Sequence, residues 1–249
     1  MAPPEVIMRS TNLPSISGDY QARALDSSNP VQRYWHRAKL KIIDAVCPPV
    51  ASGLILDAGC GSGHISHYLS RRGAEVLGID GLASPVEFAA RTYGSERCQF
   101  RQSFFNDLRD WGAFDQIYFL EVLEHLPESE AGETLERFHR LLRPRGLLFL
   151  TTPNTKSLWP IIEFSLDLLR LTPRMRGEQH LSSYSPTLLK TLLRTNGFAV
   201  ERIGTFNGLA PFAAVLGQPA ADAIARLERA AGIPGNLIYL RARKTEDAG

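Results

Sequence analysis

Only three cysteines, Cys47, Cys60 and Cys98, occur in 249 residues. Their odd number and uneven spacing exclude a disulfide framework and a zinc ribbon, and fit a reducing compartment. A long apolar run is also missing. No segment approaches the roughly 20 residues that a bilayer span needs. The opening stretch MAPPEVIMRSTNLPS carries no apolar stretch of the secretory type, so a cytoplasmic location is expected. An excess of either charge is absent too: 28 Lys and Arg stand against 26 Asp and Glu, a net +2. Such a balance gives no broad basic footprint for a nucleic-acid backbone, and nucleic acid is not the expected partner. What is present is a 44% hydrophobic composition, enough for one sizeable core with appendages.

The pattern along the chain divides at Pro30. Residues 1–29 are rich in Pro, Ser, Asn and Gly and read as a loose arm or lid, and residues 30–249 as a single domain. Pro30 suits the first turn of a helix in which Val31, Tyr34, Trp35, Ala38, Ile42 and Ala45 share a face, ended by Pro48 and Pro49. Strand-like runs follow at Leu54–Ala58, Glu75–Asp80, Cys98–Gln102, Gln116–Leu120, Leu147–Thr151, Phe198–Ile203 and Leu237–Ala242. Helical patterns near 64–72, 85–93 and 128–142 lie between most of the earlier ones, and Arg143-Pro144-Arg145-Gly146 reads as a turn. A later helix is framed by Ser185 as cap, Pro186 in its first turn and Gly197 at its end. Alternating strands and helices of this kind predict an α/β, doubly wound, Rossmann-like fold with helices on both faces of a mostly parallel sheet.

The stretch ILDAGCGSGHIS, residues 55–66, sets an apolar strand directly before one acid and three glycines. Glycines at the carboxyl edge of a parallel strand let backbone N–H groups approach a ligand that any Cβ would keep away. About 20 residues on, EVLGID ends in Asp80, where an acid at the tip of the second strand accepts hydrogen bonds from ribose hydroxyls. An adenosine-type cofactor is therefore expected. A dinucleotide loop would read G-x-G-x-x-G, but the sixth position counted from Gly59 is His64. Instead Asp57 precedes the loop, giving D-x-G-x-G-x-G, and a carboxylate there would repel a pyrophosphate while suiting an ammonium and a sulfonium charge. Cys60, between two glycines, reads as a small side chain that fits.

With the later blocks FDQIYFLEVLEHLPE, LLRPRGLLFLTTPN and HLSSYSPTLLKTLLRTNGF, the chain resembles the class I S-adenosylmethionine-dependent methyltransferases over roughly residues 50–205. The resemblance implies a seven-stranded sheet with the last strand antiparallel. It implies S-adenosylmethionine as cofactor, S-adenosylhomocysteine as product, and a site built by Asp57, Gly59, Cys60, Gly61, Ser62 and Gly63, with Asp80 on the ribose and Gly81 beside it. By the same carry-over Leu120 and Glu121 line the cofactor, and Ser103 and Phe104, in the stretch 103–107, reach the adenine.

EVLEH lies just past the fourth strand, where α/β folds place their chemistry. If Glu121 begins a helical turn, Glu124 and His125 point the same way, and all three become catalytic candidates. For a hydroxyl acceptor His125 is the natural base, with Glu124 orienting it. The resemblance to ubiquinone-pathway O-methyltransferases and to small-RNA 2′-O-methyltransferases suggests an alternative. In it Glu121, Glu124, His125 and the later His180 hold a divalent metal. Carboxylates favoured by a helix start, and His180 as a packing residue, are the plainer readings of the same positions.

The insertion 155–184 reads as a substrate-side element. Within it Glu163, Asp167 and Arg170 form a narrow polar stripe, and Ile161, Ile162, Phe164, Leu166, Leu168 and Leu169 surround it. A second apolar stretch runs from Leu209 to Gly217. A packed cap, a subunit interface of a homodimer, and a surface for a lipophilic acceptor or peripheral membrane contact all fit this pattern. The expected activity is methyl transfer to a hydroxyl oxygen of a small or lipophilic metabolite by a monomer or homodimer. Its rivals are N- or C-methylation, nucleic-acid ribose methylation, and an inactive cofactor-binding partner subunit.

Overall fold

The computed structural model describes residues 27–108, 112–161 and 180–246, together with Asp19 and Arg23. Seven strands form one sheet: β1 (Leu54–Ala58), β2 (Glu75–Asp80), β3 (Cys98–Gln102), β4 (Phe114–Leu120), β5 (Leu142–Pro153), β6 (Phe198–Phe206) and β7 (Leu237–Lys244). Their order is β3-β2-β1-β4-β5-β7-β6. Neighbours are parallel from β3 to β5, and β7 runs antiparallel between β5 and β6. The expected doubly wound sheet with an antiparallel last strand is what the chain forms.

Each central strand is buried on both sides, so its alternate residues build two cores. Leu56, Ile117, Phe119 and Leu148 pack with Leu135 and Phe138 of α4 (Glu128–Leu141) and Leu189 and Leu193 of α5 (Pro186–Thr195), numbering the helices α1 (Pro30–Val46), α2 (His64–Ser70) and α3 (Ala83–Tyr93) before them. On the other side Ile55, Val76, Tyr118 and Phe149 meet Ile43 and Val46 of α1 and Ile65 and Leu69 of α2. Two further helices, α6 (Ala210–Ala213) and α7 (Gln218–Ala231), pack on α1 through Tyr34, Ala210, Ala214 and Ala221.

The ends of α1 are set by its sequence. Asn29 Oδ1 accepts hydrogen bonds from the N–H groups of Val31 and Gln32, with Pro30 beside it in the first turn. At the other end the Tyr118 hydroxyl donates to the Cys47 carbonyl at 2.7 Å, and Arg241 donates to the Val46 carbonyl at 2.9 Å. The buried face differs from the expected one: it carries Tyr34, Lys39, Ile43 and Val46, while Trp35, Ala38 and Ile42 are only half-buried. The displaced stripe follows from Lys39, which turns inward because its charge meets an acid there.

Several boundaries also moved. The strand expected at Leu147 begins at Leu142, which pairs with Phe114 before the register shifts at Gln116. Arg145 keeps a turn conformation, φ +64°, inside this bulged strand, so the expected turn and the pairing coexist. Ser185 caps α5 as expected, its Oγ accepting from the Leu188 N–H. Most of the arm at 1–29 and residues 162–179 of the insertion, including the stripe of Glu163, Asp167 and Arg170, fall outside the described residues. Among the described residues no helix is long and apolar enough to cross a membrane.

Phe138 joins α4 to the site-bearing strand. It is fully buried, edge-on to Phe119 at 5.0 Å and to Phe105 at 6.0 Å. Phe138→Ala is expected to cost about 3–5 kcal/mol, seen in urea unfolding as a lower midpoint with an unchanged slope.

Candidate active site

The strand order makes β1 the point where the winding reverses, with β2 on one side and β4 on the other. A crevice opens there at the carboxyl ends of the strands. The loop after β1 fills one wall of it. Gly59, Gly61 and Gly63 have φ of +79°, +49° and +81°, a region that side-chain-bearing residues seldom enter. The N–H groups of Gly59 and Cys60 both donate to the Ile79 carbonyl at 2.8 Å, tying the loop to β2. A Cβ on Gly59 would fall 2.3 Å from Val122 Cγ2, and one on Gly63 2.6 Å from Ala89 Cβ. Cys60 and Ser62 are buried in the loop, and the Cys60 thiol is held well above its ordinary pKa by burial and then by Asp57. It packs and does not react.

The two expected acids are differently placed. Asp57 is 2% exposed and lies beneath the loop, its Oδ2 accepting from the Ser66 hydroxyl at 2.6 Å. Burial, opposed by the Ser66 bond, pushes its carboxyl up to about 7. Asp80 sits at the rim: Oδ2 accepts from the Gly61 N–H at 3.0 Å and Oδ1 from the Leu82 N–H at 2.9 Å. Burial raises its carboxyl as well, against those bonds. Beside it the Phe104 ring lies so close to Gly81 that a Cβ there would come within 2.8 Å of it, and Ser103 N–H donates to the Asp80 carbonyl at 3.0 Å. Phe104 is 48% exposed, an aromatic face open to a ligand.

Past β4 the chain turns sharply. Glu121 has φ +56° and its N–H donates to the Thr151 carbonyl. It does not begin a helical turn; a single 3-10 turn covers Leu123–His125. The expected common direction of Glu121, Glu124 and His125 therefore fails for Glu121, whose backbone is left-handed. Glu121 Oε1 pairs with Lys39 Nζ of α1 at 2.8 Å, beside Leu120, which is half-buried against the α1 side.

Glu124 and His125 meet His180 instead. The N–H groups of Leu181 and Ser182 donate to the Glu124 carbonyl, and Ser182 Oγ donates to the Leu126 carbonyl at 2.6 Å. This zips the returning segment onto the turn and sets the His125 and His180 rings 5.3 Å apart. Ligand atoms of Glu124, His125 and His180 lie within 4.8 Å of one another, and Glu121 is not among them. Glu124 is buried, accepts from the Thr152 hydroxyl at 3.0 Å, and has its carboxyl raised by burial, with His125 opposing. A cavity of about 230 Å³ adjoins this group, lined by Glu124, Pro153, Trp159, Pro160, His180 and Ser182 among others. The Trp159 ring stands 6.2 Å from His180 and 5.6 Å from Trp35 of α1.

Sequence reasoning missed Lys39, His36, His64 and Trp159 as neighbours of the site.

Comparison with known proteins agrees with this geometry. A family model described as a methyltransferase domain matches residues 31–203. A ubiquinone biosynthesis O-methyltransferase of Xanthomonas oryzae pv. oryzae is 32% identical over 193 residues, covering 74% of this chain and 75% of that protein. The mitochondrial protein of the same description from Rattus norvegicus is 31% identical over 165 residues, covering 62% of this chain and 47% of its own length. Among solved structures, magnesium protoporphyrin IX methyltransferase from Synechocystis PCC 6803, with bound S-adenosylhomocysteine, superposes with a TM-score of 0.62. The two share 22% identity, covering 92% of this chain and 94% of the other. The chain belongs to the methyltransferase domain family. It is an S-adenosylmethionine-dependent methyltransferase, and the crowded glycine loop with acids on both sides fits that cofactor.

The buried acids make stability depend on pH. Asp57 holds its proton up to about pH 7 in the folded chain, against about 3.9 when unfolded. The folded state then binds the extra proton between those values, so its contribution is full below about pH 4 and is lost as pH rises towards 7. Asp80 and Glu124 act with the same sign. Asp57→Asn should make the fall in melting temperature between pH 4 and pH 7 shallower, at about 1.4 kcal/mol for each tenfold change in proton affinity removed. Equal slopes in both proteins would show that Asp57 is ionised in the folded state.

Proposed function

We propose that this enzyme methylates a hydroxyl oxygen of a small, lipophilic acceptor. The observation that carries the reading is the meeting of Glu124, His125 and His180 at the crevice, beside a cavity walled by Trp159 and Pro160. The O-methyltransferases at 32% identity support oxygen as the receiving atom. The Pro153, Trp159 and Pro160 wall of the cavity, and the exposure of Phe212, Val215 and Leu216 after β6, support a lipophilic acceptor.

The cofactor supplies a methyl group on sulfonium sulfur, a good leaving group. The chain's task is then to hold the hydroxyl in line behind that carbon and to receive its proton. Alignment of this sort is worth about 7–11 kcal/mol of barrier. His125 is assigned the proton as the oxygen–carbon bond forms and the carbon–sulfur bond breaks, its electron pair passing to sulfur. Glu124 lies within reach to orient the imidazole, and its Thr152 bond fixes the carboxylate. Asp80, with Gly81 and Phe104, is assigned the adenosine.

A second reading is favoured by the same donor set: one carboxylate and two imidazoles suit a divalent ion. In that case Glu124, His125 and His180 hold the ion, which would lower the pKa of the acceptor hydroxyl.

The test uses methyl-labelled cofactor with catechol and its 3-alkyl derivatives as probes. Label should enter an ether, with turnover rising with alkyl length. His125→Ala should lower kcat by about 10²–10⁴-fold while S-adenosylhomocysteine binding, read by calorimetry, stays within twofold. Activity unchanged by a chelator supports the imidazole as base, and loss restored by added Mg²⁺ supports the ion. Label on nitrogen or carbon of broader substrates, with none on oxygen, overturns the proposal.

A further inference from the structure

The cavity beside Glu124 and His180 has a stiff side wall that the proton transfer does not use. Its inner end is formed by Glu124, Pro153 and Ser182, all buried, and its rim by Thr155 and Ser183, both exposed. Trp159, Pro160 and His180, half-buried, stand along it.

The turn that carries Trp159 is bonded throughout. The Trp159 N–H donates to Ser157 Oγ at 3.0 Å, and that hydroxyl donates to the Asn154 carbonyl at 2.7 Å. Asn154 is itself buried: its Oδ1 accepts from the Lys156 N–H at 3.0 Å, and its Nδ2 donates to the Gly235 carbonyl at 2.9 Å, tying the turn to the loop before β7. Thr155 donates both its N–H and its hydroxyl to the Tyr184 carbonyl, which closes the stem of the insertion. The Trp159 ring stands beside both Trp35 and His180, and Trp35 is held in turn by the Asn207 bond to its carbonyl. A large flat side chain so supported has little room to swing aside, and it fixes the width of the cavity.

The volume then limits what enters. At about 230 Å³ the cavity is smaller than the roughly 300–1,000 Å³ common for ligand sites. A space of about 150 Å³ holds benzene, so this one takes a single ring with its oxygens and has no room for a second fused ring. An alkyl chain on that ring can leave past Thr155 and Ser183, whereas a fused ring widens the group between the walls.

We infer that Trp159 determines acceptor width, admitting one ring and excluding two fused ones. The inference rests on reading this cavity as the acceptor's.

The test assays the full chain with labelled cofactor and two probes that carry the same vicinal hydroxyls, catechol and 2,3-dihydroxynaphthalene. The unaltered enzyme should favour catechol in kcat/KM. Trp159→Ala should shift the ratio of the two kcat/KM values towards the naphthalenediol by about tenfold or more, and Trp159→Phe by less. Because Trp159 also stands beside His180, its loss should lower turnover of both probes; the ratio cancels that loss and any loss of folded enzyme. S-adenosylhomocysteine affinity, read by calorimetry, should stay unchanged in both variants. If the alanine variant does not fold, the phenylalanine variant decides by the same ratio. A ratio that does not move while both rates fall together gives Trp159 a purely structural role and overturns the inference. An unaltered enzyme that uses both probes equally well also overturns it. In either case methylation of catechol leaves the O-methyl reading standing. If neither probe is methylated, that reading fails first and the inference with it.

Discussion

The close approach of the β1 loop to both neighbouring strands governs this molecule. One carbonyl, that of Ile79, receives the N–H groups of Gly59 and Cys60, while Val122 leaves no room for a side chain on Gly59. The loop is pinned to β2 on one side and pressed against the turn after β4 on the other. Because the sheet winding reverses at β1, these contacts fall at the mouth of the crevice, where backbone can meet a ligand. A larger residue at Gly59 would part the two loops and with them the two halves of the site.

Around this seam the charges are few and deeply placed. Asp57 lies under the loop, Asp80 at its rim and Glu124 across the crevice, and burial raises all three carboxyls. Lys39, a buried cation on α1, pairs with Glu121. Buried charges cost solvation that partners must offset, so such a concentration is tolerated where ligand binding or catalysis uses it. The acids differ in what they can do. Asp57, bonded to Ser66 and out of contact with solvent, ties the end of β1 to α2. Asp80 accepts from the N–H groups of Gly61 and Leu82 and so joins two loops.

Two segments close the site from outside the sheet. Helix α1 brings Trp35, His36 and Lys39, and is fixed by Tyr118 and Arg241 at its carboxyl end and by Asn207, whose side chain donates to the Trp35 carbonyl. The segment returning from the insertion brings His180 through its backbone bonds to Glu124.

The seven strands, the order of the loop and its acid, and the class of cofactor could be read from the chain because they rest on local rules. Burial on both faces needs apolar runs, positive φ needs glycine, and a strand tip needs its acid at a fixed distance. The cap at Ser185 was legible for the same reason. Other features were set by contacts between distant segments. Glu121 was grouped with Glu124 and His125 by spacing, yet one backbone angle turned it towards Lys39. His180 could be placed near His125 only by resemblance, and Lys39, His36 and Trp159 were not placed at all. Their positions depend on how α1 and the returning segment dock, which side-chain chemistry at each residue does not encode. Local sequence thus determined the elements and the glycine loop at the crevice, and tertiary packing decided which side chains face it, since that requires neighbours many residues away.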